Sequence, residues 1–274
     1  MECTVKDIMG LMETWAPRKL AENWDNPGLQ AGNPDGKVSK ILVSLDLTEA
    51  NARWAAEHGV QMIVSHHPFF FHGMKSVDTT TERGRILSIL LKHDISAFAA
   101  HTNLDTADGG VNDVLAEALA LSDCEGFVPV TEEETDGRET KSYTMGRIGH
   151  LPKEMSGREA VSYIKEKLKM AAVRSAGNLD RTVRRVAVLG GAGSEFVTLA
   201  KEKGADLYLT GDVRYHEALD AAGMNLILVD GGHFYTERVI IPKLKSYLAE
   251  KTHEKKWELE IIEDPTAADI FIYQ

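Results

Sequence analysis

Histidine and carboxylate side chains follow three predicted strands at the point where each strand ends. They are His66 and His67 after QMIVS (61–65), His101 and Asp105 after ISAFAA (95–100), and His233 and Glu237 after NLILVDG (225–231). Neutral imidazole suits Zn, Fe, Mn or Ni, and a carboxylate adds charge and can bridge two ions. These are more ligands than one ion usually needs. They are typical of two ions about 3.5–4 Å apart, as in two-metal hydrolytic sites.

The spacing of these residues favours a shared site. Ligands of open α/β sheets gather at the carboxyl ends of the strands, where all three sets are predicted to lie. His233 and Glu237 are four residues apart at the start of a predicted helix, so they face the same side. The strand before His66 ends at Ser65, so both following imidazoles can turn into one cavity. Pro68 disfavours the helical conformation for the residue before it and keeps that exit extended.

Each set also has a simpler interpretation when it is taken alone. A single histidine at a strand end is more often a hydrogen-bonded loop residue than a ligand. An HxxxE pair on a helix is usually a surface ion pair. The convergence of three sets at the same end of predicted strands shifts the balance towards a metal site.

Further candidates lie close to other predicted strand ends. Asp212 and His216, in TGDVRYHEA, are predicted to orient the metal ligands. The segment GGAG (190–193) could hold a phosphate with its amides, or could form a tight turn between a strand and a helix. Phe69, Phe70 and Phe71 are either a wall for a planar substrate or buried packing. There is no GxSxG motif and neither cysteine has a convincing partner, which argues against a nucleophilic serine or thiol.

The elements that must position these residues alternate between short apolar runs and amphipathic segments. The first half predicts a helix over 4–22, capped by Thr4 and kinked or ended at Pro17, then strands at 41–46, 61–65 and 95–100 and helices at 48–59, 80–93 and 112–120. The second half predicts strands at 183–190, 205–211 and 225–231, helices at 193–204, 213–223 and 233–250, and an edge strand within 257–274. Between the halves we expect an exposed connection at 131–141, a strand or hairpin at 142–151 and a helix at 157–169.

This alternation of strands and helices predicts an α/β fold with largely parallel sheets. The similar rhythm of the two halves predicts two related lobes, at about 1–130 and 180–274, joined by a middle segment over 131–179.

Composition and charge narrow the classes of partner. The chain has 274 residues and a net charge of -11, with no long basic stretch, so neither nucleic acid nor an anionic membrane is expected as the main partner. Cys3 and Cys124 form no CxxC pair, which suits a reducing cytosol. The first ten residues do not predict a signal peptide, and no apolar run approaches the roughly 20 residues of a membrane span. We therefore expect a cytoplasmic protein.

Five blocks in order carry a resemblance to a known family. They are WDNPGLQAG (24–32), SHHPFFFHG (65–73), HTNLD (101–105), GADLYLTGDVRYHEA (204–218) and DGGHFYTE (230–237). Together they resemble the Nif-three-like family of dinuclear metal proteins, whose members often carry the name GTP cyclohydrolase 1 type 2. The resemblance implies two related, intertwined α/β lobes with a two-metal site between them, and a toroidal homohexamer. The gap between the blocks is too short for the additional domain that some members carry.

The resemblance also implies a ligand set and a reaction. The ligands of two divalent ions per chain, Zn, Fe or Mn, fall on His66, His67, Asp105, His233 and Glu237. In the reaction that the name describes, water activated by metal attacks the purine C8 carbon of GTP and the imidazole ring opens. His101 could then act as a general acid and base, or as a hydrogen-bond donor that orients the ligands.

Two classes of function stay open from the sequence. One is a metal-dependent hydrolase acting on a nucleotide or a related phosphorylated compound. The other is a non-catalytic metal store, metal chaperone or regulatory scaffold, because no clear base or nucleophile stands outside the ligands. Metal-dependent cleavage of nucleic acid uses the same chemistry, but the acidic charge disfavours it.

Overall fold

The computed structural model describes residues 2–134 and 140–274. The chain divides into two compact units. Unit 1 contains Met1–Leu104 and Ile241–Ala268, and unit 2 contains Asp105–Ile240 and Asp269–Gln274. Helices accompany parallel and mixed sheets, so the predicted α/β class is confirmed. Within the described parts of the chain, no helix has the length and apolar character needed to cross a membrane.

The helices and strands are numbered in chain order. The first part of the chain forms β1 (Cys3–Thr4), α1 (Val5–Trp15), β2 (Gly28–Ala31), β3 (Lys37–Val38), β4 (Lys40–Ser44), α2 (Glu49–Glu57), β5 (Met62–Ser65), α3 (Glu82–Lys92), β6 (Ser96–Ala99), α4 (Thr102–Thr106) and α5 (Val111–Ala118). The middle forms β7 (Ser122–Glu134), β8 (Thr140–Ser156), α6 (Gly157–Lys167) and β9 (Arg174–Ala176). The last part forms β10 (Thr182–Ala192), α7 (Val197–Glu202), β11 (Leu207–Gly211), α8 (Tyr215–Gly223), β12 (Ile227–Asp230), α9 (His233–Glu237), α10 (Ile240–Glu254) and β13 (Glu260–Glu263).

Unit 1 is built on a five-stranded sheet with the order β13-β4-β5-β6-β2. The pairings from β13 to β6 are parallel, and only β2 runs antiparallel to its neighbour. β5 and β6 are buried along their whole length, as their apolar runs predict for strands covered on both faces. The register aligns Ser44 with Ser65 and Ser65 with Ala99, so the segments that follow these residues leave the sheet at one edge.

Unit 2 is built on a six-stranded sheet with the order β7-β8-β10-β11-β12-β9. Only β10–β11 and β11–β12 pair in parallel, so this sheet is mixed rather than largely parallel. Thr210 lies opposite Asp230 on adjacent parallel strands, which brings the ends of β11 and β12 together.

The prediction of a connection at 131–141 was wrong for all of its described residues, which lie in strands. Residues 131–134 continue β7, and β8 begins at 140, so the two strands form an antiparallel ladder. Residues 135–139 lie outside the described residues. Phe127 and Ile148 are buried where this ladder joins the core of unit 2. Because these apolar residues fix the two strands at one end of the ladder, the polar residues further along can continue the pairing.

The helix boundaries follow local capping chemistry. Thr4 caps α1 in a capping box with Asp7, and Thr48 caps α2 in the same way with Asn51. α1 ends at Trp15, just before Pro17, which cannot continue the backbone hydrogen bonding. The helix predicted over 233–250 is two helices, α9 and α10.

Candidate metal centre

Unit 1 brings three predicted site histidines together at one edge of its sheet. The ring of His66 lies 4.9 Å from that of His67 and 5.3 Å from that of His101, measured between ring centroids. The rings of His67 and His101 are 5.4 Å apart. One nitrogen from each ring lies within 4.8 Å of the others, so the three imidazoles could hold a metal ion. This proximity follows from the aligned ends of β5 and β6.

The Nδ1 atom of each of these histidines is held by an oxygen that only accepts hydrogen bonds. The pairs are His66 with the Ala100 carbonyl, His67 with Asp46 Oδ1, and His101 with Asp25 Oδ1, each at 2.8 Å. A neutral imidazole must therefore carry its proton on Nδ1, which leaves the lone pair on Nε2. Metal-binding histidines are commonly fixed in this way, because the partner sets the tautomer and the ring orientation.

Asp25 is the more enclosed of the two carboxylate partners. Its side chain is fully buried, and its second oxygen accepts hydrogen bonds from the Thr102 amide at 3.0 Å and the Thr102 hydroxyl at 2.5 Å. Burial alone would raise the pKa of this carboxyl. The hydrogen bond and charge of His101 and the bonds from Thr102 outweigh burial, and the pKa falls to about 2. Asp25 therefore remains a carboxylate and locks the His101 ring.

Unit 2 builds a second set of ligand-type side chains at the ends of β11 and β12. Asp212 follows β11, and its Oδ2 lies 2.8 Å from His233 Nδ1. His233 Nε2 lies 3.0 Å from Oε2 of Glu237, which is nearly buried. This separation suits two atoms that bind the same ion at the 2.0–2.2 Å typical of zinc ligands, which places them about 3–3.5 Å apart. Asp212 therefore contacts a candidate ligand histidine, as a residue that orients it would. The backbone of Asp212 is in the left-handed region, with a φ of 53°.

Gly191 makes room for the Glu237 carboxylate. Its φ is +68°, and a Cβ at this position would lie 2.2 Å from Glu237 Oε1. The amides of Gly190 and Gly191 already donate to Asn112 Oδ1 and Thr236 Oγ1, each at 3.0 Å. These contacts disfavour a phosphate site at GGAG, since two of its amides are engaged within unit 2. The first three residues of GGAG continue β10 and are not a tight turn.

The remaining predicted residues, Asp105 and His216, lie in the helices α4 and α8. Asp105 lies in the short helix α4 and is 7% exposed, and its backbone carbonyl accepts a hydrogen bond from Asn112 Nδ2 at 3.0 Å. His216 is exposed in the first turn of α8, with its ring 5.5 Å from that of Tyr215. The structure therefore places Asp212, but not His216, against a candidate ligand of unit 2.

Sequence reasoning missed Asp46 and Asp25. Asp46 ends the run ILVSLD, so it stands beyond a strand just as the candidate ligands do, and that signal could have found it. Asp25 lies in the loop between α1 and β2, where no strand end marks it. Only the fold brings it to His101, 76 residues further along the chain.

The fold and these two sets of side chains define an α/β protein with histidine and carboxylate clusters that could bind metal ions. The model of the family described as Duf34/NIF3 (NGG1p interacting factor 3) matches residues 3–269, and the chain belongs to this family. The resemblance that the five sequence blocks indicated is thereby confirmed.

Relatives and solved structures agree with this membership. The chain is 35% identical over 271 residues to the "GTP cyclohydrolase 1 type 2 homolog" of Clostridium perfringens, with 97% of this chain and 98% of that protein covered. It is 30% identical to the protein of the same name from Bacillus subtilis, with 98% of each covered. A Bacillus cereus protein described as related to NIF3 has a crystal structure that matches with a TM-score of 0.94 at 29% identity, over 100% of this chain and 99% of that one.

Proposed function

We propose that this chain binds two divalent metal ions and acts as a metal-dependent hydrolase on a nucleotide or a related phosphorylated compound. GTP ring opening, as in the name of its relatives, is the specific candidate. The proposed ligands are His66, His67, Asp105, His233 and Glu237, with Zn, Fe or Mn as the ions. The observation that carries the proposal is the uniform fixing of Nδ1 by a buried carbonyl or a carboxylate, which is how proteins prepare Nε2 for a metal.

The donor set fits such ions chemically. Imidazole nitrogen and carboxylate oxygen together suit Zn, Fe and Mn, and no thiolate takes part. A divalent ion bound there would supply Lewis acidity and would lower the pKa of water towards neutrality.

The chain's own residues would then position the reacting groups and move protons. His101 is the residue we assign to proton transfer, because Asp25 fixes its Nδ1 and its ring lies 5.3 Å from that of His66 and 5.4 Å from that of His67. In this assignment Asp25 is a positioning residue that stays charged and stabilises the imidazolium when His101 holds a second proton. The low exposure of His66 and His101 keeps bulk water away from the imidazoles.

A second function is favoured by one observation. His101 is close enough to His66 and His67 to serve as a third ligand, and the group would then lack a separate acid or base. A protein of that kind would be a metal store, metal chaperone or regulatory scaffold. Tight retention of metal without turnover would support it.

Turnover with defined nucleotides separates the two functions. Protein loaded with Zn, Mn or Fe would be incubated with GTP and other nucleotides between pH 6 and 9, and products would be identified by mass spectrometry as substrate plus one water. We expect turnover that His101→Ala and Asp25→Asn reduce, while Asp108→Asn, which alters an exposed ion pair with Lys141, does not. Absence of turnover with every metal would contradict the hydrolase and favour the metal-binding scaffold.

We also propose that the protein is a toroidal homohexamer in the reducing cytosol, which suits its free Cys3 and Cys124. Light scattering on the eluting protein should give about 180 kDa, six times the 30.2 kDa chain. A mass that stays at one or two chains would contradict the hexamer.

A further inference from the structure

A cavity of about 660 Å³ lies in unit 1 beside the histidine cluster. This volume is within the range of about 300–1,000 Å³ that is usual for small-molecule sites. Apolar and aromatic side chains form much of its lining, among them Trp24, Phe70, Phe71, Met74 and Leu87. We call it the aromatic pocket.

The three consecutive phenylalanines take three different positions around this pocket. Phe69 is buried in the core of unit 1, with 6% of its surface exposed. The backbone of Phe70 is fixed on both sides, because its amide donates to Gln30 Oε1 at 3.0 Å and its carbonyl accepts from Asn26 Nδ2 at 2.7 Å. Phe71 is turned outwards and is 38% exposed. The loop is therefore pinned with one ring in the core and another facing the pocket.

Trp24 and Phe71 link the pocket to the histidines. The Trp24 ring meets the His101 ring at 5.9 Å and an angle of 75°, and the Phe71 ring meets it at 5.5 Å and 86°. Both contacts are edge-to-face, so neither ring stacks in parallel on His101. Trp24 is 61% exposed. Such exposure is unusual for a large aromatic side chain, and packing does not explain it.

The charge of the lining indicates which part of a ligand would enter. Among the described residues that line the pocket, none is lysine or arginine. The Asp25 carboxylate is turned to His101 and Thr102 and is fully buried. A phosphate group would thus find no lysine or arginine in the described lining, whereas a flat ring would find the aromatic rings of Trp24 and Phe71.

We infer that the aromatic pocket binds the flat heteroaromatic ring of the substrate between or upon Trp24 and Phe71 and presents its edge to His101. The aromatic pocket recognises the ring of the substrate and not its phosphates. The inference rests on the proposed function for the nature of the substrate, and it narrows that substrate to compounds with a planar heterocycle.

Calorimetric titration of guanosine into chelator-treated, full-length protein tests the pocket without requiring turnover. We expect Trp24→Ala and Phe71→Ala each to weaken guanosine binding by about 5- to 150-fold, the range for loss of one stacking partner. Trp24→Phe should retain most of the affinity because it keeps an aromatic face. Tyr215→Ala removes an exposed aromatic ring from α8 and serves as the matched control, with unchanged binding. Ribose 5-phosphate, which lacks the ring, should not displace guanosine.

Three results would overturn the inference: no binding of guanosine at millimolar concentration, equal binding by the alanine variants and the parent, or displacement by ribose 5-phosphate. Circular dichroism of each variant would confirm that it is folded. Guanosine binding that depends on Trp24 without any nucleotide turnover would refute the hydrolase and leave the pocket intact. Turnover of nucleotide by Trp24→Ala with an unchanged KM would refute the role of the aromatic pocket and leave the hydrolase intact.

Discussion

Replacing Gly191 with alanine should weaken metal binding in unit 2 by displacing a ligand that the substitution does not itself remove. A Cβ at this position would lie 2.2 Å from Glu237 Oε1, closer than a real Cβ approaches any oxygen, so the carboxylate must move. Glu237 is 3% exposed and pairs with His233, and it has little room for a new position. The substitution therefore tests whether the position of this carboxylate matters for the metal.

Gly204→Ala is the matched control. Gly204 has a φ of +79°, close to the +68° of Gly191, but no atom lies within 4 Å of its would-be Cβ. Both variants should lose about 1–2 kcal/mol of unfolding free energy from the left-handed backbone. Gly191→Ala should lose about 1–3 kcal/mol more, the usual cost of forcing an atom into a packed site. Its metal affinity should fall about 10- to 100-fold, as when a ligand's orientation is disturbed.

Two measurements decide the outcome. Urea unfolding in the presence of a chelator gives the stability of each variant without metal, and competition with a fluorescent chelator gives the affinity for Zn²⁺ or Mn²⁺. Equal metal affinity in Gly191→Ala and Gly204→Ala would refute the role of Glu237 as a ligand. Equal loss of stability would show that the Glu237 side chain has another accessible position.

Two further predictions concern Asp46 and the cysteines. Asp46→Asn should weaken metal affinity about 10- to 100-fold with little loss of stability, because the amide can present an N–H to His67 and no longer fixes the tautomer of that ring. Asp108→Asn is the exposed control, and equal metal affinity in the two variants would contradict this prediction. Burial raises the pKa of the Cys3 thiol to about 12, so iodoacetamide at pH 8.5 should modify the exposed Cys124 first and Cys3 only after unfolding in urea. Peptide mass mapping would show the order, and rapid native labelling of Cys3 would contradict it.

Much of the fold could be predicted because local signals and packing agree. The apolar runs ending at Ser65 and Ala99 are buried parallel strands, and the Thr4 and Thr48 caps begin helices where expected. The ladder of β7 and β8 could not be predicted, because acidic and polar residues at 131–134 lack any strand pattern. Their strand conformation comes from the anchored pairing further down the ladder.

The residues of the candidate site could be predicted where they follow the end of a strand, but not where they lie in a loop. His66, His67 and His101 meet because adjacent parallel strands end in register, which the sequence implies. Asp25 could not be found, since its contact with His101 depends on how the loop after α1 folds. The separate positions of Phe69, Phe70 and Phe71 likewise depend on hydrogen bonds from Gln30 and Asn26, for which spacing gives no sign.

Metal content per chain tests the central claim most directly. Elemental analysis of the protein, loaded with Zn²⁺ or Mn²⁺ and then desalted, should give two ions per chain. His67→Ala and Asp105→Ala should each lower this to one ion or fewer with little loss of fold, while His93→Ala, an exposed histidine at the end of α3, should retain both ions. Metal content that is the same in all of these variants, or a parent protein that retains no metal, would contradict the proposed centre.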